Sequence, residues 1–541
     1  MVFRGRNDRV SARPNHQPAE PARSAAAGEP ADSAGRAEPA RGSGVSVRLA
    51  EARGRWVLLA TVLGSSVAML DATVVNVALP RLADDLGASM SGLQWTVNGY
   101  TLTLAGFILL GGSLGDHYGR RRVFVIGVVW FATASVLCGL ALNVPMLVAA
   151  RALQGMGGAL LTPGALAIIQ ASFVPDDRAR AVGAWSGLGG VAAAAGPLLG
   201  GWLVATAGWR WVFLLNVPLA AIVVLVAVRH VPETADSDAR GRFDVDGAVL
   251  AALALAGVTY ALTEAPAGRV SLALPVAIGL AGVVAAAAFL MLERRRGSTA
   301  MMPLDVFASR QFSAVNAVTF VVYGGMSVQF FLLVVDLQVV SGFSPTAAGM
   351  ALLPVTVLML LLSARAGGLA QRIGPRVLMT VGLLVAATGM LLTVRIGPGA
   401  SYVGDVLPAV FVFGLGLSAV VAPLTATVLA TADVRHAGVA SGVNNAVARA
   451  AGLLTVAAIP PLVGLTGNAY QDPATFNDGF HTAMVISAAL LVAGAILSYL
   501  TVHRDVLDIA PKHAEPECRS HCAVSSPPLE PARDPAQAPA R

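Results

Sequence analysis

Fourteen long apolar segments, each about as long as a membrane-spanning helix, dominate this 541-residue sequence. A hydrocarbon layer about 30 Å thick is crossed by roughly 20 apolar residues in helical form. The runs are continuous, whereas strands of a membrane β-barrel alternate between apolar and polar residues, so the pattern predicts helices. The segments lie near residues 57–80, 94–114, 123–142, 146–171, 183–206, 211–228, 245–263, 270–292, 312–340, 346–366, 377–395, 403–429, 437–465 and 480–502.

The low content of charged residues excludes two other classes of protein. Only 13% of the residues are charged and 55% are apolar, and the mean hydropathy is +0.69. A soluble domain carries about 25% charged residues on its surface, and a disordered chain holds far less apolar material. The sequence therefore predicts an all-α polytopic membrane protein with fourteen transmembrane helices.

Arginine residues are distributed unequally between the two ends of these predicted helices. With residue 1 in the cytoplasm, 19 arginines flank the inner ends and 4 flank the outer ends. The inner arginines are residues 53, 55, 120, 121, 122, 178, 180, 229, 240, 242, 294, 295, 296, 310, 365, 372, 376, 435 and 504, and the outer ones are 81, 210, 269 and 395. Because positive charge accumulates on cytoplasmic loops, the split predicts that both termini are cytoplasmic.

An internal repeat divides the chain into two halves. Residues 112–121 resemble residues 367–376 at an offset of 367 − 112 = 255, and the same offset relates Gly183 and Gly187 to Gly438 and Gly442. Parallel repeats of this kind are typical of transporters whose binding site lies between the halves near the middle of the membrane. We expect a six-helix bundle at 53–230, two extra helices at 243–293 and a second six-helix bundle at 310–503.

The two ends of the chain lack any apolar period. Residues 1–52 and 504–541 are rich in Ala, Pro and Arg, and we expect them to form a disordered cytoplasmic arm and tail. Cys518 and Cys522 flank His521 in the tail, but one short cluster lacks the further ligands of a zinc site. We therefore expect no metal site, and the role of these two cysteines stays open.

Two carboxylates lie within the apolar segments. A charge at the bilayer centre costs about 2.5–3.5 kcal/mol even on the mildest scale, so such residues usually face a cavity or a partner. Asp71 in the first span is a candidate site for a proton or a cation, the alternative being a structural hydrogen bond near the helix end. Asp336 in the ninth span is either a second such site or an acid wetted from outside, and Gln329 lies on the same helical face.

Two arginines also lie within predicted spans. Arg151 in the fourth span requires a carboxylate or a water-filled cavity, and Asp71 is its candidate partner. Arg151 has the alternative of extending to the outer interface. Arg449 in the thirteenth span raises the same question.

The loop between the second and third spans combines glycines with a charge cluster. Gly112 and Gly119 permit a tight turn, and Asp116 precedes Arg120 and Arg121. Asp116 is able to accept hydrogen bonds from the arginines, so the loop is a candidate conformational latch between two states of the protein. The alternative is a charge cluster that only fixes the membrane topology, and the repeat at 367–376 counts against it.

The fifth span is rich in glycine and contains a proline. Gly196, Gly200 and Gly201 allow helix backbones to pack closely, and Pro197 bends the helix. A tight, bent helix is typical of an interface that seals and then slides, although plain close packing is the alternative.

Together these motifs resemble the major facilitator superfamily, and more narrowly its fourteen-helix bacterial drug/proton antiporters, over residues 56–503. The matches are residues 71–80 in the first span, Gly112 to Phe124, Arg151 with Gly155, residues 196–201, and residues 209–218. The chain departs from the pattern at Ala192, where glycine is frequent, at Gln371, where the second loop copy lacks an acid, and at Asp336, where an apolar residue is expected.

The resemblance implies alternating access by two bundles and export of substrate driven by inward proton flow. It implies that Asp71 binds the proton or a cationic substrate, that Arg151 supports proton relay, and that Asp116 and Arg120 belong to the latch. We expect proton-coupled efflux of an amphipathic or cationic drug or antibiotic across the bacterial inner membrane by a monomer, powered by the proton gradient without a cofactor. The alternatives are a proton-coupled nutrient importer and a non-transporting sensor or scaffold. No nucleophile–base set or nucleotide loop indicates an enzyme, and nothing indicates nucleic acid binding.

Overall fold

The apolar segments form helices in the computed structural model, which describes residues 47–235, 244–297, 300, 302, 304–431 and 437–507. In this part of the chain, 14 helical stretches are long and apolar enough to cross a membrane, which confirms the predicted number. The helices are α1 Ala52–Leu86, α2 Met90–Tyr118, α3 Arg120–Gly139, α4 Val144–Ser172, α5 Pro175–Thr206, α6 Arg210–Leu214, α7 Asn216–His230, α8 Val245–Glu264, α9 Ala273–Arg296, α10 Arg310–Val339, α11 Pro345–Ala351, α12 Leu353–Ile373, α13 Pro375–Leu392, α14 Leu407–Ala430, α15 Ala437–Leu462 and α16 Pro473–Thr501. Two spans are interrupted, so that α6 with α7 and α11 with α12 each cross once.

The described residues contain a single β pairing, an isolated bridge between Val47 and Phe173. The Val47 amide donates to the Ser172 carbonyl at 2.8 Å, and the Leu49 amide donates to the Asp177 carboxylate at 2.9 Å. The end of the predicted N-terminal arm is thus attached to the α4–α5 loop, because its backbone finds partners there. The rest of the predicted arm, residues 1–46, lies outside the described residues. The same holds for residues 508–541 of the tail, which include Cys518 and Cys522.

The helices of each half make most of their contacts with other helices of the same half. In the N-terminal half α1 contacts α5 and α7, while α4 contacts α2 and α3; in the C-terminal half α10 contacts α15 and α16, and α14 contacts α12 and α13. The added pair α8 and α9 packs together where Gly257 meets Gly282, since small residues let the two backbones approach. Of this pair, α8 packs against α2 and α15, which belong to different halves.

The turns at residues 119 and 374 show the repeat in the backbone. Gly119, between α2 and α3, has φ +103°, and Gly374, between α12 and α13, has φ +84°. Both values lie in the region that glycine alone adopts readily, and the offset is again 374 − 119 = 255. The Arg120 amide donates to the Thr234 carbonyl at 2.8 Å, and the Arg504 carbonyl would lie 2.7 Å from a Cβ at Gly374. In each half, the segment after the last helix therefore covers this turn.

We name the two ends of the bundle by their charge. The arginine-rich end carries Arg120, Arg121 and Arg122, and the arginine-poor end carries Arg81 and Arg210. At the arginine-poor end the halves share one buried hydrophobic cluster, which includes Leu82, Leu93 and Phe213 from the N-terminal half and Phe331 and Leu465 from the C-terminal half.

Backbone hydrogen bonds also join the halves at the arginine-poor end. The Met90 amide donates to the Gly467 carbonyl at 2.7 Å. The Gln94 side-chain amide donates to the carbonyls of Val456 at 2.7 Å and Ala457 at 3.4 Å. These two carbonyls lack helical donors because Pro460 and Pro461 occupy the positions four residues later. A side chain of the N-terminal half therefore donates hydrogen bonds to backbone carbonyls of the C-terminal half that the prolines leave without a helical partner.

The arginine-rich end differs in the packing of α5 and α12. A Cβ at Gly183, Gly187 or Gly190 of α5, or at Gly367 or Gly368 of α12, would meet no atom within 4 Å. These positions of α5 and α12 therefore pack against no other described part of the chain. The halves are packed together at the arginine-poor end, whereas these positions of α5 and α12 at the arginine-rich end lack packing partners among the described residues.

Candidate functional site

A buried ion pair lies in the N-terminal half between α1 and α4. The Arg151 guanidinium contacts the Asp71 carboxylate at 2.5 Å, and the two side chains are 2% and 0% exposed. The pairing that the sequence left open is therefore present. Each residue supplies the counter-charge that the other requires, because an unpaired charge in a protein interior or a membrane is costly.

Neutral side chains complete the coordination of Asp71. Its second oxygen accepts hydrogen bonds from the amides of Gln154 and Asn216, both at 2.8 Å. Gln154 also accepts from Arg151 at 2.6 Å and donates to the Ser135 hydroxyl at 2.8 Å. The charge network thus joins α1, α3, α4 and α7, and both oxygens of the Asp71 carboxylate accept hydrogen bonds within it.

Aromatic rings enclose the other side of Arg151. The guanidinium lies 4.4 Å from the centre of the Tyr100 ring and 5.7 Å from that of Phe213. Its Nε donates to the Thr96 carbonyl at 3.0 Å. Electrostatic attraction between the cation and the ring faces adds to the pairing with Asp71. The Arg151 guanidinium is therefore fixed by a carboxylate, a backbone carbonyl and two aromatic rings.

Asp336 has a different environment. It lies on α10 one turn before the helix end, is 0% exposed, and neither carboxyl oxygen has a hydrogen-bond partner among the described residues. Gln329, on the same helical face, is also fully buried, and its amide atoms have no partner in that part of the chain. An ionised carboxylate without a donor is strongly disfavoured in such a place. This site therefore suits a carboxyl group that carries a proton.

Arg449 lies near the middle of α15 and is only half-buried. Its Nε is buried, and no hydrogen bond or ion pair joins Arg449 to another described residue. Tyr100 of α2 and Tyr323 of α10 are the titratable groups close enough to act on it electrostatically. The contrast with Arg151 is that Arg449 has no counter-charge among the described residues.

The glycines of α5 fit against both halves. A Cβ at Gly196 would lie 2.0 Å from the Thr73 hydroxyl of α1, two residues from Asp71, and one at Gly200 would meet Val74 at 2.9 Å. On the other face, a Cβ at Gly201 would lie 2.5 Å from the Pro345 carbonyl of α11. The predicted motif therefore connects the helix that carries Asp71 with the C-terminal half.

Pro197 makes the matching contact on the same surface of α5. Its carbonyl would lie 2.1 Å from a Cβ placed on Gly349 of α11. Glycines on both sides thus bring the two backbones together at the arginine-poor end.

The predicted latch loop makes its described contacts within the N-terminal half. Asp116 pairs with Arg120 one turn later at 2.7 Å. Arg121 pairs with Glu233 at 3.4 Å, and its backbone amide donates to the same carboxylate at 3.1 Å. A Cβ at Gly119 would lie 2.6 Å from the Glu233 carboxylate, and the φ of +103° at this position itself favours glycine. A Cβ on Gly112 would touch Pro163 of α4 at 3.6 Å, an ordinary contact.

Several members of the site were not singled out from the sequence. Gln154 stands three residues after Arg151, which places it on the same helical face, and that spacing was an available signal. Asn216 lies within the matched segment 209–218 but had no assigned role. Tyr100 and Gln94 give no local signal, because their importance depends on contacts with distant helices.

Comparison with known proteins agrees with this architecture. Residues 61–456 match the family model described as Major Facilitator Superfamily. A probable actinorhodin transporter of Streptomyces coelicolor is 37% identical, over 80% of this chain and 77% of that protein. A puromycin resistance protein of Streptomyces alboniger is 34% identical over 85% and 94%, and a tetracenomycin C resistance and export protein of Streptomyces glaucescens is 34% identical over 78% of each chain.

Solved structures share the fold at low sequence identity. A D-xylose–proton symporter superposes with a TM-score of 0.60 at 16% identity, covering 83% of this chain and 98% of its own. A bacterial homologue of the human lysosomal transporter Spinster, in an inward-facing and occupied conformation, gives a TM-score of 0.56 at 18% identity, covering 83% and 97%.

Proposed function

Because the chain belongs to the major facilitator superfamily, we propose that it exchanges protons for an amphipathic drug or antibiotic, which it exports by alternating access. The chain is a multi-pass transporter of the bacterial inner membrane and not an enzyme. Its relatives include antibiotic and multidrug resistance proteins, which supports efflux of a drug-like substrate. Coupling to protons and exchange of proton for drug are the proposed steps.

The observation that carries the proton-coupled part is the closed network around Asp71. A proton on Asp71 removes the counter-charge of Arg151, and Arg151 is 1% exposed and has no second carboxylate among its described contacts. The protonated and ionised forms therefore favour different arrangements of α1 and α4. A ligand or proton shifts a conformational equilibrium only through such a difference in affinity.

The route of the conformational change follows from the packing of the halves. With the arginine-rich end in the cytoplasm, the described conformation receives substrate from inside and is sealed outside by α5 against α11. Gly196 and Gly200 place α5 against the part of α1 that follows Asp71. A rearrangement at Asp71 is thereby transmitted to the seal formed by Gly201 and Pro345.

The test uses inside-out membrane vesicles with an imposed gradient, acid inside. Accumulation of three fluorescent aromatic compounds, one cationic, one anionic and one neutral, is followed for the wild type and for Asp71→Asn. We expect gradient-dependent accumulation of at least one compound by the wild type, its abolition by an uncoupler, and its loss in Asp71→Asn.

The matched control is Asp478→Asn, which removes an exposed acid of α16 that lies outside the network. Asp478→Asn should accumulate the compound at the wild-type rate. Accumulation of none of the compounds by the inserted wild type, or undiminished accumulation by Asp71→Asn, would contradict the proposal. Accumulation in right-side-out vesicles instead would support the importer, and no transport in either orientation would support the sensor or scaffold.

A further inference from the structure

We infer that Arg449 is the recognition site for the substrate and that the substrate is an aromatic organic anion, whose carboxylate or phenolate pairs with the guanidinium. This inference deepens the proposed function by naming a class of substrate, and it rests on transport by this chain. It differs from the cationic substrate that the sequence analysis included as one expectation.

The position of Arg449 places it on the boundary between the halves. Where α15 faces α2, Val456 contacts Gln94 nearer the arginine-poor end, and Gly442 meets Leu109 nearer the arginine-rich end. Arg449 stands midway between Val456 and Gly442 along α15. It therefore lies near mid-membrane, where a transporter built from two repeats binds its substrate.

A polar stripe connects Arg449 with the arginine-rich end. Ser441, Asn445 and Arg449 are spaced four residues apart on one face of α15. Asn445 is exposed, and Ser441 and Arg449 are partly exposed. Packing between transmembrane helices does not require three polar residues on one helix face, so the stripe indicates contact with water or with a polar ligand. This stripe gives a polar substrate a path from the arginine-rich end to the guanidinium.

The charge of Arg449 specifies the sign of the ligand. A guanidinium stays charged and presents five donors, a geometry that matches a carboxylate or another planar anion. Arg151 has Asp71 for this purpose, whereas the described residues offer Arg449 no anion. A cation in this position would be repelled, and a neutral ligand would leave the charge uncompensated.

The neighbours of Arg449 specify an aromatic ligand. Tyr100 of α2 and Tyr323 of α10 lie on opposite sides of the boundary between the halves, within electrostatic range of Arg449. Flat rings pack favourably against tyrosine rings and against the face of a guanidinium. Tyr100 also stacks on the Arg151 guanidinium, so a ligand that spans Arg449 and Tyr100 would contact a residue of the Asp71 network.

The test measures binding without a proton gradient, by fluorescence anisotropy with the purified full-length protein in detergent. Fluorescein, which carries a carboxylate and a phenolate on a xanthene framework, is compared with rhodamine 123, a cationic ester of the same framework. We expect Arg449→Gln to weaken fluorescein binding about tenfold or more, as expected for the loss of a charge-assisted hydrogen bond. Arg449→Lys should retain part of the affinity, and rhodamine 123 should bind Arg449→Gln no more weakly than it binds the wild type.

The matched control is Arg376→Gln, because Arg376 also has a buried Nε without a partner among the described residues and lies 4.1 Å over the Tyr499 ring, away from α2. Arg376→Gln should bind fluorescein as the wild type does. Thermal unfolding and gel filtration establish that each variant is folded.

Two results would overturn the inference. One is a wild type that binds fluorescein no more tightly than Arg449→Gln, and the other is an equal loss of both dyes, which indicates a change of shape rather than of charge. Since no gradient is present, a failure of proton coupling leaves this result unaffected. Binding of fluorescein through Arg449 together with failed vesicle transport would contradict the proposed function alone.

Discussion

The two halves of the molecule treat buried charge in opposite ways. In the N-terminal half, Asp71 and Arg151 satisfy each other, and amides and a backbone carbonyl take up the remaining hydrogen bonds. In the C-terminal half, Asp336 and Arg449 each lie without an opposite charge among the described residues. A closed pair holds helices in a defined arrangement, whereas an open charge is available to a proton or a ligand.

The difference also divides the tasks of the transport cycle. The closed pair at Asp71 adjoins α5, whose glycines seal the arginine-poor end, so it is placed to control the conformation. The open groups lie on α10 and α15, and α15 faces the boundary between the halves. We expect mutations in the first set to change stability and coupling together, and mutations in the second set to change what is bound with little effect on stability.

The largest effect is expected from removing one partner of the closed pair. Arg151→Met leaves the Asp71 carboxylate buried without its cation and should lower the free energy of unfolding by about 3–5 kcal/mol. Asp71→Leu with Arg151→Met removes both charges and should recover most of that loss, yet should not transport. Thermal unfolding of the purified protein in detergent measures the double-mutant cycle. Independent, additive effects of the two mutations would break the contrast between the halves.

The second effect concerns the seal at the arginine-poor end. A Cβ at Gly349 would lie 2.1 Å from the Pro197 carbonyl, so Gly349→Ala should disfavour the closed arrangement by about 1–3 kcal/mol through overpacking. In a variant whose Cys138, Cys518 and Cys522 are replaced by serine, Gly187→Cys provides a thiol at a position that faces open space. This thiol should react more slowly with a maleimide added at the arginine-rich end when Gly349→Ala disfavours the described conformation.

The control for this seal is Gly368→Ala, whose added methyl group meets no atom within 4 Å. It should leave the labelling rate of the cysteine at position 187 unchanged. Equal effects of the two alanines would indicate that α5 and α11 do not separate during the cycle.

The sequence was sufficient to predict the fold and part of the site. The number of spans followed from apolar runs, because the bilayer fixes helix length, and the repeat followed from glycines such as Gly119 and Gly374 that the same turn requires twice. Asp71 and Arg151 were recognised because a charge in an apolar run is costly.

The remainder depends on contacts between distant helices. The sequence shows Asp336 and Asp71 as two similar buried acids, and only the structure shows that one has three donors and the other has none. Likewise, no residue near Gln94 in the sequence indicates that its amide donates to the two carbonyls that Pro460 and Pro461 leave without helical donors. These prolines lie more than 360 residues away.

That contact of Gln94 gives the third prediction. Gln94→Leu leaves the Val456 carbonyl buried without a donor, which should weaken the closed arrangement by about 1–2 kcal/mol. The fraction of molecules closed at the arginine-poor end should fall several-fold in the maleimide assay. Gln338→Leu should weaken the closed arrangement less, because the hydrogen bond from Gln338 to the Val77 carbonyl is longer, at 3.1 Å, and only partly buried. A larger effect of Gln338→Leu would show that α1 and α10, rather than α2 and α15, hold the halves together.

The smallest effect on stability is expected at Asp336, and it separates the two acids most sharply. A protonated carboxyl without donors resembles an amide in size and charge, so Asp336→Asn should change the free energy of unfolding by less than about 1 kcal/mol, whereas Asp71→Asn breaks an ion pair. The same variant is unable to release a proton. If Asp336 carries an exchanged proton in addition to that of Asp71, Asp336→Asn should still exchange labelled for unlabelled substrate across vesicles without a gradient, but should accumulate less of it when a gradient is imposed. Undiminished accumulation would place the proton on Asp71 alone, and the opening of its pair with Arg151 would then have to be part of every cycle.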